Sequence, residues 1–264
     1  VSLSGNRTAP GYGAILLRGL LAGLIAGLLA GVFAYSFGEP KVDAAIAIEQ
    51  ANADAEVHAA GDAGHSHDDE DALVSRDGQK GGLFLATGLY GVAMGGLLAT
   101  AYTLLRRRMR IRDNGRAVLG LAGGALLGLV LVPFVKYPPN PPAVGDPSTI
   151  NQRTISYLSI VVIGLVAVWA AVLASRSVRA GAAEWLRLTA GLGAFLLIVV
   201  VGYVLLPTID EVPGTFPPSL LYSFRVTSLG TQVTLWLVLG LALSALLSRL
   251  SAVNVPGKSD SVSV

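Results

Sequence analysis

Six long, mostly apolar runs with very few charges govern what this chain can fold into. An α-helix rises 1.5 Å per residue, so about twenty such residues cross a hydrocarbon core about 30 Å thick. Inside lipid every backbone polar group must be satisfied within the chain, and uninterrupted apolar runs achieve this as helices. The runs predict spans at about 13–37, 81–105, 117–135, 155–174, 185–206 and 226–250. Charged residues make up 14 % of the chain, against roughly 25 % in soluble domains. The predicted class is therefore all-α: a polytopic integral membrane protein whose partner is the lipid bilayer. The first run exceeds a signal-peptide core and lacks a small-x-small cleavage pattern after it, so it is expected to be retained. With no cysteine, disulfides and thiolate metal sites are excluded.

Glycine recurs on helical spacing within these runs. Gly19, Gly23, Gly27 and Gly31 lie four residues apart; Gly88, Gly91 and Gly95 mark the second run, and Gly120, Gly124 and Gly128 the third. Such ridges let a second helix approach closely; a glycine-lined path is the other reading. Pro133 and Pro207 are expected to end the third and fifth spans. Tyr137 to Pro147 is proline-dense and should run extended and stiff.

The charges are sorted by side. With the N-terminus in the cytoplasm, thirteen of the nineteen Lys and Arg fall on the cytoplasmic face, led by Arg106-Arg107-Arg108-Met109-Arg110-Ile111-Arg112. Fourteen of the seventeen carboxylates then fall outside. Positive-inside sorting thus predicts six spans as three helical hairpins with both termini cytoplasmic. Residues 1–12 are the leading cytoplasmic segment and 251–264 a disordered cytoplasmic tail. The arginine block adjoins a span and lacks interleaved aromatics, so nucleic acid is not expected as a partner.

The loop of residues 38–80 would face outward. It holds every histidine of the chain, His58, His65 and His67, followed by Asp68-Asp69-Glu70-Asp71. Imidazole and carboxylate are ligands for divalent transition metals, and a Gly/Ala-rich backbone can fold around an ion. The same composition also suits a plain solvated linker, and both readings stand. Within the loop, Val42 to Glu56 has the composition of a short surface helix.

Elsewhere, polar candidates are few. Asp210 and Glu211 follow Pro207 and are expected either to pair with Arg225 or Arg153 or to add carboxylates to an ion entrance. Gln232, beside Thr231 and Thr234, is the leading intramembrane polar group, either bonding across helices or lining a polar path. Ionisable groups are absent from mid-span, which argues against a self-contained pump. A Walker phosphate loop, a serine-nucleophile motif and HExxH are also absent, so no enzyme constellation is predicted. A weak repeat links Leu-Val-Pro133 with Leu-Leu-Pro207. Each is followed by an outer loop that closes on Arg153-Thr-Ile-Ser156 or Arg225-Val-Thr-Ser228.

Phe216-Pro-Pro-Ser-Leu-Leu-Tyr-Ser-Phe-Arg225-Val-Thr-Ser-Leu-Gly-Thr-Gln232-Val-Thr-Leu-Trp236, with Tyr137-Pro-Pro-Asn-Pro-Pro and the glycine-ridged first span, resembles the CbtA family of predicted cobalt transporter subunits. The resemblance covers nearly all of residues 13–250. It implies a membrane subunit of a cobalt uptake system without its own ATPase, and no resident cofactor, the divalent ion being substrate. It also implies a small single-span, His-bearing CbtB-like partner, and capture at the loop of His58, His65 and His67. A non-transporting accessory or scaffold subunit is the competing function.

Overall fold

The computed structural model describes residues 11–60, 75–109, 111, 113–142 and 144–253. Their regular structure is entirely helical. Helix α1 spans Tyr12–Phe33, α2 Glu39–Ala60, α3 Arg76–Leu105, α4 Asn114–Ala125, α5 Val132–Lys136, α6 Ile150–Ser177, α7 Glu184–Leu205 and α8 Pro218–Val253. Among the described residues six helical stretches are long and apolar enough to cross a membrane: Tyr12–Ala55, Gly78–Leu105, Asn114–Lys136, Pro147–Ser177, Glu184–Leu205 and Pro218–Arg249. The six-span, all-helical class is as expected; several boundaries are not.

The first span does not stop near Phe37. A π-helical turn, Ala34–Gly38, carries α1 directly into α2, and the short surface helix is its continuation. Pro133 likewise fails to end the third span: α4 passes through a π-helical stretch, Leu126–Leu131, into α5. The two turns share a cause. Each is followed by a capping residue that precedes a proline, Glu39 before Pro40 with its N–H bonding Ala34 O, and Val132 before Pro133 with its N–H bonding Leu127 O. Proline lacks an N–H, and in a regular helix its ring strikes the carbonyl four residues back. Widening the preceding turn by one residue moves that carbonyl aside, so the helix continues.

Other ends follow local chemistry. Pro147–Thr149 form a 3-10 turn leading into α6, and the Asp146 side chain accepts from Ser148 N–H at 2.8 Å. Asp113 accepts from Arg116 N–H at 2.7 Å at the start of α4. These are N-terminal caps, each satisfying a donor the helix leaves free.

The chain divides into two compact units, residues 1–29, 85–123 and 235–264, and residues 30–84 and 124–234. In the first, α1 and α3 meet along the expected glycine ridges. A Cβ placed on Gly23 would strike Gly91 O; one on Gly95 would strike Gly19 O. The backbones are thus in direct contact, as small-residue helix pairing requires. Gly240 of α8 sits 3.0 Å from Ala122 Cβ, measured from where its own Cβ would be. Ile15, Val118, Leu239 and Leu243 are fully buried.

In the second unit α6 packs on α7 and on the third span. Gly128 and Gly164 lie against each other's carbonyls. Around them Val132, Ile160, Ala167 and Val199 form a buried core. Gly120, by contrast, has open space where its Cβ would be, so only two glycines of the third ridge are used. Leu17, Leu97, Val204 and Leu205 stand exposed, as lipid-facing side chains of a spanning helix do.

Candidate functional site

In the second unit, three inter-span segments meet: α2, the proline-dense stretch before α6, and the stretch between α7 and α8. Ala45, Val144 and Phe216, one from each, form a small buried cluster with Val212, Leu220 and Leu221 packed on it. Beside it, Glu49 and Asn52 of α2 and Thr215 share a cleft of about 320 Å³ with Phe216, Pro213 and Pro217. Glu49 and Asn52 stand three residues apart, which puts them on one helix face.

Two arginines lock the segments in a reciprocal exchange. Arg153, in the first turn of α6, pairs with Glu211 of the other loop at 3.1 Å. Arg225, in α8, donates to Asn140 Oδ1 at 2.9 Å and to Pro139 O at 3.3 Å. Each loop's arginine therefore holds the other loop. The sequence repeat anticipated both arginines but not this crossing. Of the expected acidic partners, Glu211 takes Arg153; among the described residues Asp210 makes no ion pair, and Arg225 binds an amide and a carbonyl, not a carboxylate.

Glu211 is the hub. It also accepts from Thr149 Oγ1 and from Asp146 N–H, the latter at 3.0 Å. The Thr149 hydroxyl above all, then the Asp146 amide and the Arg153 charge, hold its carboxyl below the usual range. Asp146 is held low by Ser148. Gly145 adopts φ 142°, which favours glycine, and a Cβ there would press on the Arg153 guanidinium. The prolines supply the remaining acceptors. A carbonyl in a proline-rich stretch has few N–H partners, so it stays open to side chains. Pro207 O accepts from Tyr137 Oη at 2.6 Å, just as Pro139 O serves Arg225. That signal was readable in the sequence.

The base of the histidine loop is also clamped. Arg76, at the start of α3, reaches Glu39 and Asp43 of α2, and Lys80 reaches Asp43 at 3.3 Å. Nothing in the spacing of these residues announced that pairing. His58 falls within α2, and its side chain lies outside the described residues. His65, His67, Asp68, Asp69, Glu70 and Asp71 lie wholly outside them. Among the described residues no three His, Cys, Asp or Glu come together as a metal site.

Gln232 sits in α8. Among the described residues its Oε1 is buried without a hydrogen-bond partner. The flanking hydroxyls are committed to their own helix: Thr231 donates to Thr227 O and Thr234 to Gly230 O. Among the described residues this oxygen makes no bond to a neighbouring helix.

Residues 12–248 match the family described as probable cobalt transporter subunit (CbtA). The chain belongs to the CbtA family. No curated protein and no solved structure matches it. Family and fold together make it a multi-pass membrane protein of a family described as probable cobalt transporter subunits. Membership in a transporter-subunit family points to a non-enzyme.

Proposed function

We propose that this chain is the membrane subunit of a cobalt uptake system in the cytoplasmic membrane, and that it collects the ion outside the cell. The single observation that carries this reading is the CbtA match spanning all six helices. Three helical hairpins with both termini inside place the loop outward, supported by the bias of Lys and Arg to the opposite face. His58, His65, His67, Asp68, Asp69, Glu70 and Asp71 then present imidazole and carboxylate to the medium. The clamp of Arg76 and Lys80 on α2 supports this arrangement by tying the base of that loop to the scaffold. Capture is shared with a small single-span, His-bearing CbtB-like subunit, and bound ion passes inward along the helices.

Deleting the gene from its own cell is expected to reduce Co²⁺ uptake, and restoring it to recover uptake. Unchanged uptake would favour the accessory or scaffold reading. That alternative draws on Gly120 and Gly123, whose exposed positions nothing among the described residues fills; small-residue faces of this kind suit a neighbouring helix. Replacing His58, His65 and His67 together by Ala should weaken Co²⁺ binding to the purified protein in titration calorimetry. Equal binding by parent and variant would remove the loop from the mechanism.

A further inference from the structure

Two hydrogen bonds and one close approach gather four helix ends of the first unit. Tyr12, at the start of α1, bonds Thr100 near the end of α3 at 3.1 Å. Tyr102 of α3 donates to Asn114 Oδ1, at the start of α4, at 2.8 Å. A Cβ on Gly115 would come within 2.6 Å of Ser244 Oγ, in the C-terminal part of α8. The start of α1, the end of α3, the start of α4 and the end of α8 therefore share one end of this unit.

That end is cationic. Arg18, Arg106, Arg107, Arg108, Arg116 and Arg249 lie there, and the sequence adds Arg110 and Arg112. Among the described residues of the unit the sole carboxylate is Asp113, whose Oδ1 is occupied in capping α4. The ion pairs among the described residues all lie in the second unit, where Arg76, Lys80 and Arg153 find carboxylates. Arg18 turns its guanidinium back to Ala14 O at 2.8 Å, towards the end of the helix, and Arg106 bonds the Tyr102 hydroxyl. Arg107, Arg108, Arg116 and Arg249 are exposed. Like charges this close raise one another's energy, so the end calls for an external anion. Leu104 and Ile111, which bracket the arginines in sequence, are 70 % and 45 % exposed. In water that exposure is unfavourable; at the headgroup level apolar side chains reach acyl chains while guanidinium groups meet phosphates.

We propose that this end of the first unit binds the headgroups of anionic phospholipids, with Arg107, Arg108 and Arg116 contacting phosphate. Guanidinium suits the task because its planar fork meets phosphate oxygens in pairs. Free phosphate shares that chemistry but leaves Leu104 and Ile111 in water, so the lipid is the better fit. The inference does not depend on what the protein carries.

The test titrates the purified full-length protein in neutral detergent with phosphatidylglycerol, phosphatidylcholine or inorganic phosphate, and follows thermal stability and lipid retention by native mass spectrometry. The parent is expected to prefer phosphatidylglycerol. Arg107→Gln with Arg108→Gln should weaken that binding by about tenfold to thirtyfold, the scale of two arginines at an anionic surface. Arg107→Lys with Arg108→Lys, which keeps the charge, should retain most of it. Arg176→Gln with Arg179→Gln removes the same charge from the α6–α7 turn and should leave it unchanged. Should the glutamine pair fail to fold, the parent's salt dependence is read in its place. Salt raised from about 0.1 to 1 M, which shortens screening from about 10 to 3 Å, should weaken the preference. Equal binding of the two lipids by the parent would overturn the proposal, as would a preference indifferent to salt. An equal loss in the Arg176 and Arg179 pair would show diffuse charge and no site. Displacement of the lipid by inorganic phosphate at equal concentration would assign the end to a free anion, and the proposal would fall.

Discussion

The seam between α1 and α3 and the loops gripped by Arg153 and Arg225 are held together in opposite ways. At the seam, Gly19 and Gly23 touch Gly95 and Gly91 backbone to backbone, with no side chain between them. In the loops, a guanidinium, a carboxylate, a hydroxyl and proline carbonyls meet at hydrogen-bond distance. Lipid gives apolar helices no hydrophobic reason to associate, so close van der Waals contact must do it. At the loops water competes for every polar group, so single contacts contribute little and the arrangement relies on several acting together. A seam of the first kind fails abruptly; a network of the second kind loosens by degrees.

The largest expected effect tests the seam. Gly23→Leu places a branched side chain where Gly91 O already sits. The cost should exceed the ~1–3 kcal/mol of ordinary overpacking, because a backbone cannot rotate aside. Loss of the protein from the membrane fraction would be the readout. Normal accumulation with an unchanged melting temperature would show that the α1–α3 contact is dispensable.

Next comes the exchange of arginines. Arg225→Ala removes the donors to Asn140 and Pro139 while leaving Arg153 and Glu211 in place. Faster hydrogen exchange is expected at the amides of Asn140 and Val144, the latter bonded to Pro141 O, with little change in α1 and α3. Equal protection in the variant would mean that the proline-dense segment holds itself. Combining Arg225→Ala with Arg153→Ala should loosen both loops by more than the sum of the single changes if the network is cooperative.

Acid should act on the loops and spare the seam, which carries no titrating group. Glu211 has a carboxyl held below its ordinary value of 4.5. Its contribution is therefore fully present above that value and is lost as pH falls through the lower folded one. Limited proteolysis between residues 207 and 217 should accelerate in that acid window, and Glu211→Gln should flatten the dependence. An identical pH response in that variant would assign the effect to another group.

The smallest effect uses the glycine that the seam rule does not cover. Gly120 has open space around its Cβ position. Gly120→Ala should be neutral or raise stability by about 0.5–1 kcal/mol in a thermal melt, since helical glycine is entropically costly. A large loss would reveal a packing partner on that face.

Much of this protein was legible in its residues, and the reason is lipid. A bilayer leaves a long apolar run one way to satisfy its backbone, so class, span number and glycine ridges follow from local composition. The ligand-type residues of the histidine loop could be named, yet their side chains lie outside the described residues. Tertiary structure alone decided that Pro40 and Pro133 widen helices into π-turns instead of ending them. It also set Arg153 and Arg225 on each other's loops, tied Arg76 to Glu39 and Asp43, and left Gln232 Oε1 without a donor. Those outcomes depend on which groups meet across distant stretches of chain, and spacing along the sequence carries no record of such meetings.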